Sequence, residues 1–127
     1  GAAFGGGSGA PAMVVSGSPI ASAVGRDVIR DGGNAVGCGA LKRHQDGIGE
    51  VKRMYTRPSH RGRRIGAEIV ARIETMAREE GLKRLVLETG DQHPAAWAVY
   101  ERAGFTRCGP VLDYPDSKWS VFYEKAL

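Results

Sequence analysis

An α/β or α+β fold, a sheet with helices packed on it, is what this chain predicts from Val36 to its C-terminus. Three observations carry that expectation. Gly62 to Glu80 holds apolar residues at helical spacing, Leu85-Val86-Leu87 is a short unbroken apolar run, and alternating segments flank both. The resulting order is ββαβαββ.

Each element has its own reason. Val36 to His44 and Ile48 to Thr56 read as strands joined by Gln45-Asp46-Gly47, a turn with hairpin chemistry, so the pair is expected to be antiparallel. Ile65, Ile69, Ile73 and Met76, with Val70 and Ala77 beside them, form the buried stripe of a five-turn helix closed by Gly81. The run at Leu85 is too apolar for a half-exposed strand and predicts a central one, buried on both faces. His93-Pro94 opens a second helix that runs through Arg102 and ends at Gly104. Phe105 to Leu112 and Ser120 to Leu127 read as the last two strands, joined by a loop holding Asp113, Tyr114, Pro115, Asp116 and Trp119.

Upstream the pattern changes. Residues 1–11 are rich in Gly, Ala and Ser and read as a flexible lead. They do not suit a phosphate loop, since no Lys follows and no helix starts at once. Ala12 to Val15 is a short strand candidate. Ser18-Pro19 then has the form of a helix start, with Ile20, Val24, Val28 and Ile29 on one side and Asp31-Gly32-Gly33-Asn34 as the stop. Residues 12–35 are therefore expected to be a strand and a helix.

At 127 residues the chain has the length of one domain able to bury its own core. Its net charge of +4 favours anionic partners without choosing among nucleic acid, membrane and a small phosphorylated ligand. Cys38 and Cys108 are the two cysteines, with no CxxC pair and no His at ligand spacing, so no metal site and no disulfide framework is expected. No apolar run approaches a membrane span of about 18 residues, and the start lacks signal-peptide features. The expected setting is the cytoplasm.

The informative segment is Glu50 to Gly66, in which a strand delivers the basic turn Arg61-Gly62-Arg63-Arg64 into a helix. Free N–H groups in a first helical turn, the positive end of the helix dipole and a glycine that admits close approach together make an anion site.

Three motifs in this order resemble the GNAT superfamily of acyl-CoA-dependent N-acyltransferases, over Val36 to Leu127. Arg61-Gly62-Arg63-Arg64-Ile65-Gly66 is similar to that family's pyrophosphate motif. Tyr100-Glu101-Arg102-Ala103-Gly104-Phe105 is similar to its Tyr-x-x-x-Gly-Phe. The third is the closing run Ser120 to Lys125. Leu87-Glu88-Thr89-Gly90 resembles a bacterial subgroup of small-molecule acetyltransferases. The resemblance implies a mixed, mainly antiparallel sheet flanked by helices, and acetyl-CoA as co-substrate.

It also implies roles. Arg61, Gly62, Arg63, Arg64, Ile65, Gly66 and Ala67 would hold the pyrophosphate, while Met54, Tyr55 and Thr56 would offer backbone groups to the pantetheine arm. His93 stands near that arm, where many members carry Asn. Tyr100 matches the acid that protonates the leaving thiolate, Glu50 the position of the general base in histone-type members, and the Met54 N–H an oxyanion donor. The plain readings stand beside these: a core tyrosine, and a strand-end glutamate paired with Lys52 or Arg53. His44, His60 and His93 are expected to face solvent, and Tyr114 and Trp119 to border the acceptor or cap the core. Arg64 departs from the family's first Gly, and either crowds the pyrophosphate or adds a cation to it.

Met13 to Val36 instead resembles a segment near the start of γ-glutamyltranspeptidases, without their catalytic Thr region. The expectation is a chimera: lead 1–11, a foreign segment 12–35, and a core 36–127 truncated on its N-terminal side. An edge left by missing strands predicts a homodimer through strand pairing or segment exchange. The implied function is direct transfer of acetyl from acetyl-CoA to a small primary amine, with no nucleic-acid or membrane partner. The alternative is a catalytically inactive chimeric or engineered domain that at most binds CoA.

Overall fold

A computed structural model describes residues 23–127. Strand β1 (Ala23–Asp31) leads through a two-glycine turn into β2 (Asn34–Arg43), and β3 (Ile48–Thr56) returns antiparallel beside it. Helix α1 (Ile65–Glu79), strand β4 (Arg84–Gly90), helix α2 (Pro94–Arg102) and strands β5 (Thr106–Cys108) and β6 (Ser120–Ala126) complete the order. The six strands form one sheet, β1-β2-β3-β4-β6-β5, in which only β3 and β4 are parallel. This is the mixed, mostly antiparallel α/β architecture expected.

One expectation fails. The helix read from Ser18 to Asp31 is a strand over residues 23–31, and Gly32 and Gly33, at φ 58° and 92°, turn a hairpin instead of ending a helix. The readings for residues 1–22 lie outside the described residues. The last two strands are also shorter than expected, since residues 109–119 form a loop.

Both helices pack on one face of the sheet. Ile69, Val70, Ile73 and Ala77 of α1 meet Leu41, Val51, Leu85, Leu87 and Tyr123, all buried. Three glycines let α1 and the chain after it lie close to the strands. A Cβ on Gly37 would stand 2.6 Å from Ile65 Cγ2, one on Gly39 2.6 Å from Ile69 Cγ2, and one on Gly49 2.8 Å from Leu82 Cδ1. The opposite face carries a smaller cluster of Val86, Val111 and Phe122, with Ile48, Cys108 and Tyr114 against it. Leu85, Val86 and Leu87 thus feed both clusters, as the unbroken apolar run predicts.

Candidate active site

The parallel pairing of β3 with β4 is brief. Ile48, Gly49 and Glu50 pair with Arg84, Leu85 and Val86, and beyond Glu50 the two strands have no partners in each other. On its other side β3 has a bulge: the register with β2 skips Arg53 and Met54, and Arg53 takes φ 56°. A cleft therefore opens between β3 and β4, with Met54, Tyr55 and Thr56 along one wall.

Helix α1 begins beside the β3 end of this cleft. Its N-cap is Arg64, at φ 64° and with no side-chain cap. Left-handed backbone is glycine's territory, so this is the physical sense of a glycine at that place in the resembled motif, and arginine holds it at a cost of about 1 kcal/mol. Among the described residues no acceptor meets the N–H groups of Ile65, Gly66 and Ala67, while the Glu68 N–H already bonds Arg64 O at 3.1 Å. Gly62, at φ 82°, has open space where a side chain would stand. Arg61, Arg63 and Arg64 are all exposed. Arg61 Nε donates to Thr56 O at 3.4 Å, which ties the turn back to the end of β3. A diphosphate fits these donors: three amides and three guanidinium groups around a glycine opening.

The turn is anchored from below. His60 Nε2 lies 2.9 Å from Asp31 Oδ2, and Arg63 Nη1 lies 4.0 Å from the same oxygen. The hydrogen bond from His60 outweighs the opposing effect of burial and holds the Asp31 carboxyl below the usual range. His60 is thus a partnered anchor and not a residue facing solvent. His93, exposed at the N-cap of α2, lies against Gly90. Trp97 Nε1 donates to Gly90 O at 3.0 Å, fixing the start of α2 to the end of β4.

Tyr100 is 6% exposed on α2, its ring 5.9 Å from those of both Phe105 and Tyr123. Burial pushes its phenol up to about 12. Its hydroxyl has no hydrogen-bond partner among the described residues. The Tyr123 hydroxyl, by contrast, donates to Glu101 Oε2 at 2.6 Å.

Glu50, 3% exposed, sits on the opposite face, at the last residue before the strands part. His44 Nε2 lies 2.8 Å from its Oε1, and the Tyr114 hydroxyl donates to its Oε2 at 2.7 Å. Lys52 Nζ is 3.8 Å from Oε2, so the pairing with Lys52 is present but secondary, and Arg53 takes no part. The expectation that His44 faces solvent therefore fails: it is half-buried against a carboxylate. Sequence reasoning had Glu50 and Tyr114 separately and missed His44. The one available signal was its place at the turn leading into β3. Trp119, 61% exposed, does not cap the core.

The comparisons agree on one family. The model of the acetyltransferase (GNAT) family matches residues 19–105. An IAA acetyltransferase of Azospirillum brasilense is 44% identical over 101 residues, 79% of this chain and 66% of that protein. An uncharacterized N-acetyltransferase of Bacillus subtilis, YsnE, is 37% identical over 99 residues, 76% of this chain and 66% of its own length. The chain thus spans just under two thirds of these relatives. Among solved structures, an inferred acyl-CoA N-acyltransferase of Klebsiella pneumoniae superposes with a TM-score of 0.78 at 41% identity, covering 80% of this chain and 71% of that one. The PaiA N-acetyltransferase of Thermoplasma acidophilum, solved with coenzyme A, shares the fold at a TM-score of 0.70 and 18% identity, over 80% of this chain and 61% of that one. The family match takes in residues 19–36 of the stretch that resembles γ-glutamyltranspeptidases, and β1 pairs with β2 along its length. Neither observation supports a foreign origin for that stretch. Over a cleft, an open helix start and a motif order of this kind, the chain belongs to the acetyltransferase (GNAT) family, whose co-substrate is acetyl-CoA.

Proposed function

We propose that this chain binds acetyl-CoA and transfers its acetyl group directly to a small primary amine. The observation that carries the proposal is the β3–β4 cleft beside three helix N–H groups that have no acceptor among the described residues. The Arg61 to Ala67 turn would take the pyrophosphate, with cations from Arg61, Arg63 and Arg64. The strand backbone from Met54 to Thr56 would take the pantetheine arm, and His93 stands at the opposite rim.

The bound thioester supplies an activated acetyl carbon and a thiolate leaving group. Glu50 takes the proton that the amine must lose before its nitrogen attacks. The backbone at Met54 donates to the carbonyl oxygen as charge gathers there. Tyr100, fully protonated at neutral pH because its phenol is held at about 12, donates to the departing sulfur as the C–S bond breaks. The adduct nitrogen sheds its second proton to solvent, N-acetylamine and thiol leave, and solvent restores the protonation states of Glu50 and Tyr100. The proposal includes a homodimer through strand pairing or segment exchange, with β1 at the edge of the sheet among the described residues. A purely monomeric mass by light scattering at high concentration would overturn that part.

Calorimetry at low salt tests the binding step. Acetyl-CoA should bind, and replacing Arg61 and Arg64 together by Gln should weaken it on the order of tenfold. No heat of binding for the unaltered chain would sink the proposal. Binding without thiol release across a panel of primary amines would replace it with a CoA-binding domain that lacks turnover.

A further inference from the structure

The carboxylate of Glu50 is held by two segments that lie outside β3 and β4. His44 comes from the β2–β3 connection, and Tyr114 from the loop between β5 and β6. Each fills one carboxylate oxygen, at 2.8 Å and 2.7 Å. An ionised carboxylate only accepts, so His44 Nε2 carries the proton in that contact. Each oxygen keeps a further lone pair. The pair Glu50↔Val86 is the final rung before β3 and β4 separate, so this carboxylate stands at the vertex of the cleft.

A side chain buried merely to complete a core would not be a charge with two dedicated donors. Other charged groups near it are few. Lys52 on β3 is 3.8 Å away, Lys42 faces it in the β2 register, and Glu88 on β4 acts on Tyr114 while accepting from Ser120 Oγ at 2.7 Å. Tyr114 itself packs on Phe122 with ring centroids 5.9 Å apart, which fixes its hydroxyl over Glu50.

We infer that Tyr114 and His44 are positioning residues, which hold the Glu50 carboxylate at the cleft vertex so that it can receive the acceptor amine's proton. The inference rests on the acetyl-transfer reading above. The step balances simply: an N–H bond of the amine breaks, an O–H bond forms on Glu50, and the freed nitrogen pair attacks the thioester carbon. Tyr114 and His44 keep their own protons throughout.

The test compares two nucleophiles on the full chain with acetyl-CoA, followed by thiol release. Phenethylamine is an ammonium ion at neutral pH and must be deprotonated; hydroxylamine is already neutral. With phenethylamine, Glu50→Gln should lower kcat/KM by about 100-fold, and His44→Leu and Tyr114→Phe, each of which removes one donor, by about tenfold each. With hydroxylamine all three losses should stay under about threefold. In a Glu50→Gln background His44→Leu should cost nothing further.

Equal losses with both nucleophiles would mean that the donors serve folding alone and would overturn the inference. So would donor variants that match the unaltered chain while Glu50→Gln is impaired, or a Glu50→Gln variant of full activity. An unaltered chain that binds acetyl-CoA yet acetylates neither nucleophile fails the acetyl-transfer reading itself, and the inference with it. If Tyr114→Phe loosens the loop enough to lower Tm, His44→Leu decides alone.

Discussion

The two faces of the sheet are built for different work. The face under α1 and α2 is dry and continuous: Ile69, Val70, Ile73, Leu85 and Tyr123 are essentially without exposure and touch one another across the helix–sheet boundary. The other face has, among the described residues, a cluster of three buried apolar residues and beside it a carboxylate with its donors. Tyr100 belongs to the first face and Glu50 to the second, with the β3–β4 cleft between them. Acid and base in the proposed reaction therefore come from opposite sides of one sheet. Packing density buys rigidity on one side, while the polar side holds a buried carboxylate between two hydrogen-bonding side chains.

That contrast can be broken first by stability. Leu85→Ala, on the dense face, should cost about 2–5 kcal/mol in urea unfolding, since it removes a fully buried side chain. Val111→Ala, in the loop over the other face, should cost only about 1 kcal/mol. Equal costs would erase the distinction between a dense face and a thin one.

Alkaline titration sharpens it next, because each face holds one phenol raised to about 12. Tyr100 is raised by burial, and Tyr114 by burial and then by its hydrogen bond to Glu50. A raised phenol binds its proton more tightly in the folded state. Its contribution is complete below the ordinary value of about 10 and is lost as pH rises toward 12. Stability should therefore fall over that window, less steeply in Tyr100→Phe and in Tyr114→Phe. A variant with an unchanged slope would show that its phenol is not held as described.

The smallest effect concerns the anchor beneath the turn at Arg61 to Arg64. The Asp31 carboxyl, depressed chiefly by the His60 hydrogen bond, contributes above its ordinary value of 3.8, and that contribution is lost as pH falls through the lower folded value. His60→Ala should return Asp31 to ordinary titration by carboxyl NMR, and weaken acetyl-CoA binding by no more than about threefold. An unmoved Asp31 resonance would remove His60 from the account.

The elements with strong periodicity were legible. Helix α1 begins at Ile65, its first periodic residue, and the Leu85 run lies where an unbroken apolar segment belongs. The failure at β1 has a physical cause. Its buried positions, Gly25, Asp27 and Ile29, alternate as a strand requires, but two of the three are residue types that do not read as core. With those hidden, the visible apolar residues at Val24, Val28 and Ile29 imitate a helix. The cluster at Glu50 was half legible for a related reason. Its members are 6 and 64 residues from the carboxylate, and only folding brings the distant Tyr114 onto it.

Gly37 has a consequence out of proportion to its size. The atom nearest to its missing Cβ is the Cγ2 of Ile65, the residue with which α1 begins. A single methyl group there would act as a wedge beneath the helix's leading turn, tilting its row of amides from the back. In the proposed reading, affinity for the ligand then depends on β2 as well as on the turn, through the space that Gly37 leaves for Ile65.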